Sequence, residues 1–170
     1  MLHGLTFRLA QPADAESLWR ACFPQLSAAQ VGELVARAES LWRCRRGAGV
    51  VACLEGQIVG FGQLTLWARA AEISDLSVTE AQRGRGIGTA LLQRLIALGA
   101  QRRNLIEIGA AQSNPRALAL YQRLGFRHAR TLLLDLGQGI EPVHYLILSV
   151  NDHASPLEDA RLPLESERDG

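Results

Sequence analysis

The stretch Gln82-Arg-Gly-Arg-Gly-Ile-Gly88 restricts this chain more than any other part of it. Gly84, Gly86 and Gly88 occupy alternate positions directly ahead of a run with helical apolar spacing: Ile87, Leu91, Leu95 and Leu98, with Leu92 and Ile96 beside them. Upstream, 71–78 (AEISDLSV) reads as a strand in which Ile73, Asp75 and Ser77 alternate with Glu72, Ser74, Leu76 and Val78. A strand, a glycine-rich turn and a helix start bring several backbone N–H groups to one point. Those donors, with the helix dipole, favour an anion, most naturally a phosphate or pyrophosphate. Arg83 and Arg85 add positive charge. The competing reading is a tight turn whose glycines only relieve crowding between strand and helix.

Two common phosphate-binding patterns fail here. A GxxxxGK[ST] loop needs a lysine, and all 18 basic residues of this chain are arginine. The dinucleotide pattern GxGxxG ends on Thr89 if it starts at Gly84 and on Leu91 if it starts at Gly86, so it fails too.

The rest of the chain reads as alternating elements. Leu5 to Leu9 is a first strand, and Gln11 to Asp14 supplies helix-start chemistry ahead of Leu18, Trp19 and Cys22. Pro24 breaks that helix, and Ser27 caps a second one through about Trp42. Gly47 to Gly49 mark a turn into a hairpin, Val50 to Leu54 and Gln57 to Trp67, around Glu55-Gly56. Gly60 and Gly62 in its second arm indicate a bulge or a close backbone approach. Asn104 to Ala110 is a short apolar strand. Asn114 then serves as N-cap, Pro115 as first helical residue and Gly125 as the stop of another helix. Arg127 to Leu136 and Val143 to Val150 form a final strand pair joined by Gly137 to Pro142. This order predicts a mixed α/β sheet flanked by helices, in one domain over 1–150. Residues 151–170, rich in acids and holding Pro156 and Pro163, are expected to be a flexible tail.

Composition narrows the function classes. With 48% hydrophobic and 21% charged residues and a net charge of +1, the chain is ordinary for a soluble globular protein. No apolar run approaches a membrane span, and MLHGLTFRL lacks the features of a signal peptide, so the expected location is cytoplasmic. The arginines are dispersed, which argues against a nucleic-acid partner. Cys22, Cys44 and Cys53 show no CxxC spacing and read as buried reduced thiols; the four histidines form no ligand pair, so no metal is assigned.

Arg83-Gly-Arg-Gly-Ile-Gly88 matches [RQ]xxGx[GA], and Asn114-Pro-Arg-Ala117 through Tyr121 to Leu124-Gly-Phe126 forms a second block. In these two blocks the chain resembles the GNAT family of N-acetyltransferases, over about residues 5 to 150. The resemblance implies the GNAT fold, with strands 71–78 and 104–110 splayed to admit acetyl-CoA, here a cosubstrate. It implies main-chain contacts to the pantetheine from Leu76 and Val78, with the Val78 N–H polarising the thioester carbonyl. It also implies a pyrophosphate site on the amides of Arg83, Gly84, Arg85, Gly86, Ile87, Gly88 and Thr89. Asn114 contacts the pantetheine, caps its helix, or does both; Arg116 reaches a coenzyme phosphate or is simply solvated.

The same resemblance nominates Glu72 as general base, 14 residues before Gly86, with Asp75 as second candidate on the opposite face if alternation holds. Tyr121 is the proposed general acid for the departing thiolate. Trp19, Trp42 and Trp67 fall where relatives shape the acceptor pocket. The expected activity is direct acetyl transfer to a primary amine, with a homodimer common among relatives. A non-catalytic acyl-CoA sensor is the alternative, and a docking protein using the acidic tail a third. The cysteines lie outside both blocks, so a cysteine-linked acyl-enzyme is not expected.

Overall fold

Ser27 starts the longest helix by a reciprocal cap: Gln30 N–H donates to Ser27 Oγ at 3.1 Å, and Ser27 N–H donates to Gln30 Oε1 at 2.8 Å. Local signals of this kind place most elements of the computed structural model, which describes residues 2–150. The expected tail, 151–170, lies outside the described residues. In chain order the elements are β1 (Leu5–Leu9), α1 (Ala15–Cys22), α2 (Ala28–Arg43), β2 (Gly47–Leu54), β3 (Gln57–Leu66), β4 (Ala71–Val78), α3 (Ile87–Ala100), β5 (Leu105–Ala111), α4 (Pro115–Arg123), β6 (Arg127–Asp135) and β7 (Ile140–Ser149).

The strands form one sheet in the order β1-β2-β3-β4-β5-β7-β6. Only β4 and β5 run parallel; every other neighbouring pair is antiparallel. The parallel contact requires a crossover, and α3 supplies it. Leu91, Leu92 and Leu95 of α3 are wholly buried in a core with Ile73, Ile106, Ile108 and Leu146, which Tyr121 and Phe126 of the α4 region complete. A second core on the other face joins Leu18, Val31 and Val35 of α1 and α2 to Val51 and Phe61. Burying chains of this size is worth roughly 1.5–3 kcal/mol each, so both faces of β2 and β3 are strongly held.

Two expected boundaries move. Gly47 to Gly49 belong to β2 and are not a turn. Their small size serves packing: a side chain on Gly49 would begin 2.6 Å from Ala38 Cβ of α2 and 3.1 Å from the Phe61 ring. The last turn is shorter than expected, because Ile140 to Pro142 already pair with Asp135, Leu134 and Leu133. The Glu55-Gly56 hairpin forms as read, with φ of +51° and +81° at its two central residues. At Gly60 to Gly62 both expectations are met: the β3–β4 register slips between Phe61 and Gln63, and Leu95 of α3 approaches Gly62 closely.

Candidate active site

The parallel pairing of β4 with β5 lasts three rungs, Ala71 with Ile106, Glu72 with Glu107 and Ile73 with Ile108. Beyond Ile73 the two strands part. Asp75 is the cause on the β4 side: it adopts φ +55°, and three β4 residues span the interval that two β3 residues cover. This is a bulge, and it corrects the simple alternation expected for 71–78. Leu76 and Val78 rejoin Ile73 on the α3 face, against Gly62 and Gly88. Ser77 turns to the α1 face and donates to Cys22 O at 2.7 Å. Asp75 is therefore not the regular opposite-face residue the alternation predicts; it is exposed at the bend itself.

The bulge also sets main-chain groups. Thr79 N–H donates to Val59 O at 2.9 Å, so by antiparallel alternation the N–H and C=O of Val78 turn away from β3, toward the slit. Arg83 Nε donates to that Val78 carbonyl at 3.1 Å, as this orientation requires.

The glycine loop lies at the open end. Gly84 and Gly86 hold φ of +76° and +85°, in the left-handed region that suits glycine. Gly86 directly precedes α3 and offers no side-chain cap, so the first amides of that helix face outward. Arg116 of α4 reaches across, its Nη2 3.4 Å from where a side chain on Gly84 would begin. Its side chain is exposed over the glycine loop. Gly88 differs from the other two: it has no positive φ, and a side chain there would meet Val78 only at an ordinary 3.6 Å. An outward-facing helix start, two left-handed glycines and arginines from two elements fit a diphosphate.

Tyr121, Asn114 and Asp75 come together in the slit. With Ile73, Ser74, Leu76, Ala117 and Ile108 to Ala111 they line a cleft of about 210 Å³. Tyr121 is buried, and burial pushes its hydroxyl up to about 12, so it stays protonated at neutral pH. Asn114 accepts from Ala117 N–H at 3.2 Å, which settles its capping role.

Glu72 is not among the residues lining that cleft. It sits at the closed end of the slit, opposite Thr65 of β3, on the face away from α3. Burial raises its carboxyl above the usual range, and neighbouring Glu107 raises it further; the Trp67 indole and Arg130 pull the other way. Glu107 itself is clamped by Arg130, Nη1 to Oε2 at 2.8 Å and Nη2 to Oε1 at 2.7 Å. Neither Glu107 nor Arg130 was singled out from sequence. An acid in the middle of the apolar run Leu105 to Ala110 was the available signal. Gln63 was also missed: it is 3% exposed, and its Oε1 has no hydrogen-bond partner among the described residues.

The thiols and tryptophans are mixed. Cys22 and Cys53 are buried as expected, but Cys44 is exposed. Cys22 lines a larger cavity of about 500 Å³ between α1 and Thr79 to Arg83, yet burial pushes its thiol up to about 11, against the pull of Arg83. A thiolate nucleophile is disfavoured there. Trp19 donates to Leu26 O at 2.8 Å, Trp42 is half-buried, and Trp67 is 49% exposed beside Glu72. No group of three or more metal-ligating side chains and no helix able to cross a membrane occurs among the described residues.

Residues 13–126 match the profile of the acetyltransferase (GNAT) family. The chain belongs to this family. A mycothiol acetyltransferase of Salinispora tropica is 28% identical over 137 residues, which is 72% of this chain and 45% of that protein. An uncharacterized N-acetyltransferase of Methanocaldococcus jannaschii is 42% identical over 57 residues, 33% of this chain and 25% of the relative. This chain therefore spans less than half the length of either curated relative. In fold it resembles yncA of Salmonella typhimurium, a structure that holds its cofactor acetyl-CoA, with a TM-score of 0.69 at 20% identity, covering 91% of this chain and 98% of that one. The GNAT expectation of a mixed sheet with splayed central strands is met.

Proposed function

We propose that this protein moves the acetyl group of acetyl-CoA directly to a primary amine. One observation carries the reading: the slit between β4 and β5 turns the Val78 N–H inward, with Glu72 on one face of the sheet and Tyr121 on the other. Gly84 to Thr89, Arg83 and Arg116 hold the diphosphate; Leu76 and Val78 offer main-chain groups to the arm that lies along β4. The bound coenzyme supplies an acetyl thioester. The Val78 N–H donates toward its carbonyl oxygen and stabilises the charge that develops there.

The acceptor enters on the Glu72 face, where α1 and α2 leave β5 to β7 uncovered. Glu72 takes the proton from the amine through water, since it stands six residues before Val78 on β4, and a carboxyl raised by burial suits that role. Tyr121, kept protonated by its surroundings, gives a proton to the sulfur from the α4 side. Glu72, Glu107 and Asp75 make the entrance acidic, which favours a cationic amine. We place the reaction in the cytoplasm, where the free thiols Cys22, Cys44 and Cys53 suit a reducing compartment. We also propose a homodimer through β6, an edge strand that exposes Leu132 and Leu133, with Leu136 and Ile140 beyond it. If β6 pairs with its own copy about Thr131, Arg127 of each strand lies opposite Asp135 of the other.

Thioester consumption with a panel of primary amines, run beside calorimetric titration with acetyl-CoA, tests the activity. Binding with turnover on at least one amine is expected, and Glu72→Gln should lower kcat/KM by roughly 100-fold or more without loosening the coenzyme. Binding with no turnover on any amine would transfer the case to a sensor.

A further inference from the structure

Glu72 and Glu107 are register partners on the parallel pair, one rung before the strands part. Adjacent strands lie about 4.8 Å apart, so two carboxylates confront each other on the acceptor face. At that spacing the Glu107 charge opposes ionisation of Glu72. The arrangement is asymmetric, because Arg130 is committed to Glu107 through two parallel hydrogen bonds of 2.7 and 2.8 Å. Arg130 is further fixed over the Tyr145 ring, 4.5 Å from its centroid.

The groups facing Glu72 come from every neighbouring element: Asp75 on its own strand, Glu107 from β5, Arg130 from β6 and the Trp67 indole from the link after β3. Arg46 lies 6.0 Å from the Trp67 ring. Thr65 is the cross-strand neighbour on β3. Among the described residues, Arg130 is the guanidinium whose charge acts on Glu72, and it is held by a competing carboxylate.

We propose that Glu107 and Arg130 are positioning residues for the proton transfer: their mutual clamp withholds the guanidinium from Glu72 and so fixes the pH range in which Glu72 accepts a proton. This rests on the reading of Glu72 as general base. The two residues then act in opposite directions. Without Glu107, the repulsion disappears and Arg130 is released toward Glu72, which ionises at lower pH. Without Arg130, Glu107 stands uncompensated and Glu72 ionises at higher pH.

The test is a titration of the Glu72 side-chain carboxyl carbon by NMR, the resonance identified by its loss in Glu72→Gln, paired with pH profiles of acetyl transfer to whichever panel amine turns over. Glu107→Gln should lower the Glu72 midpoint by roughly one pH unit and Arg130→Met raise it by about as much, the range usual for a nearby charge. The double variant should return close to wild type, and Arg130→Lys, which keeps the charge, should sit nearer wild type than Arg130→Met. A midpoint that ignores Glu107→Gln, or moves the same way in both single variants, overturns the proposal. Midpoints that move as expected while the acid limb of the rate profile stays fixed uphold the clamp and remove Glu72 as base.

Discussion

The sheet has two unlike halves. At β2 and β3 it is covered on both faces, by α1 and α2 on one and α3 on the other, and these two strands are buried along nearly their whole length. From β5 to β7 helices cover only one face; the other carries Glu107, Arg130 and Tyr145, and β6 is exposed almost throughout. The first half is where packing decides stability, and the second is where charge decides chemistry. The slit lies on the border between them, so its floor is rigid and its far wall wet.

Four substitutions probe that division. Gly49→Val should act most strongly, since the new side chain collides with Ala38 and Phe61; a loss of roughly 3 kcal/mol is expected by thermal or denaturant unfolding. Near-normal stability would show the covered half to be looser than its packing implies. Asp14→Ala comes next. Asp14 is 8% exposed and accepts from both terminal nitrogens of Arg8, at 2.7 and 2.8 Å, and from Gln11 N–H at 2.8 Å. Removing it should cost about 2 kcal/mol.

The same carboxylate gives a pH dependence. Burial raises the Asp14 carboxyl, but the Arg8 hydrogen bonds and the Gln11 amide outweigh that and hold it below its ordinary value. Its contribution is present above the unfolded-state value and fades as pH falls through the lower folded one. The acid limb of the wild-type stability curve should therefore flatten in Asp14→Ala.

Tyr121→Phe belongs to the border itself and should change turnover rather than folding. A thiolate is a fair leaving group, so a fall of roughly 10-fold in kcat is expected, below the 100-fold or more usual for a general acid, with coenzyme affinity kept. An unchanged kcat would leave Tyr121 with packing against Phe126 alone, 6.1 Å between ring centroids. Leu133→Arg should be the mildest for the fold, because that side chain is 70% exposed. Its expected effect is on assembly: light scattering after gel filtration should report a monomer where wild type is a dimer. A wild-type monomer at micromolar concentration would dispose of the β6 interface.

How much of this was legible depended on distance along the chain. Ser27, Asn114 with Pro115, and Gly125 act within four residues of themselves, and the helices they bound were readable from local rules. The glycine-rich turn ahead of α3 was readable for the same reason. The bulge was not: Ile73, Asp75 and Ser77 alternate as well as any regular strand, and an aspartate in the left-handed region leaves little trace in a sequence. Glu107 and Arg130 are 23 residues apart, and they meet across β7, which lies between β5 and β6. Strand order is a property of the whole sheet, so no local pattern could join them. Gly47 to Gly49 misled because a glycine chosen for smallness looks like one chosen for turning.

The bend at Asp75 has an implication for how this chain tolerates length changes. Deleting Asp75 would remove the one residue that β4 has in excess of β3. The shortened strand would alternate regularly, with Leu76 and Val78 still on the α3 face and Ser77 still against Cys22, but the bend that parts it from β5 would be gone. Insertions between Gly137 and Gly139 would leave that bend untouched. Length variants should thus lose activity while keeping the fold at Asp75, and keep both at the last hairpin.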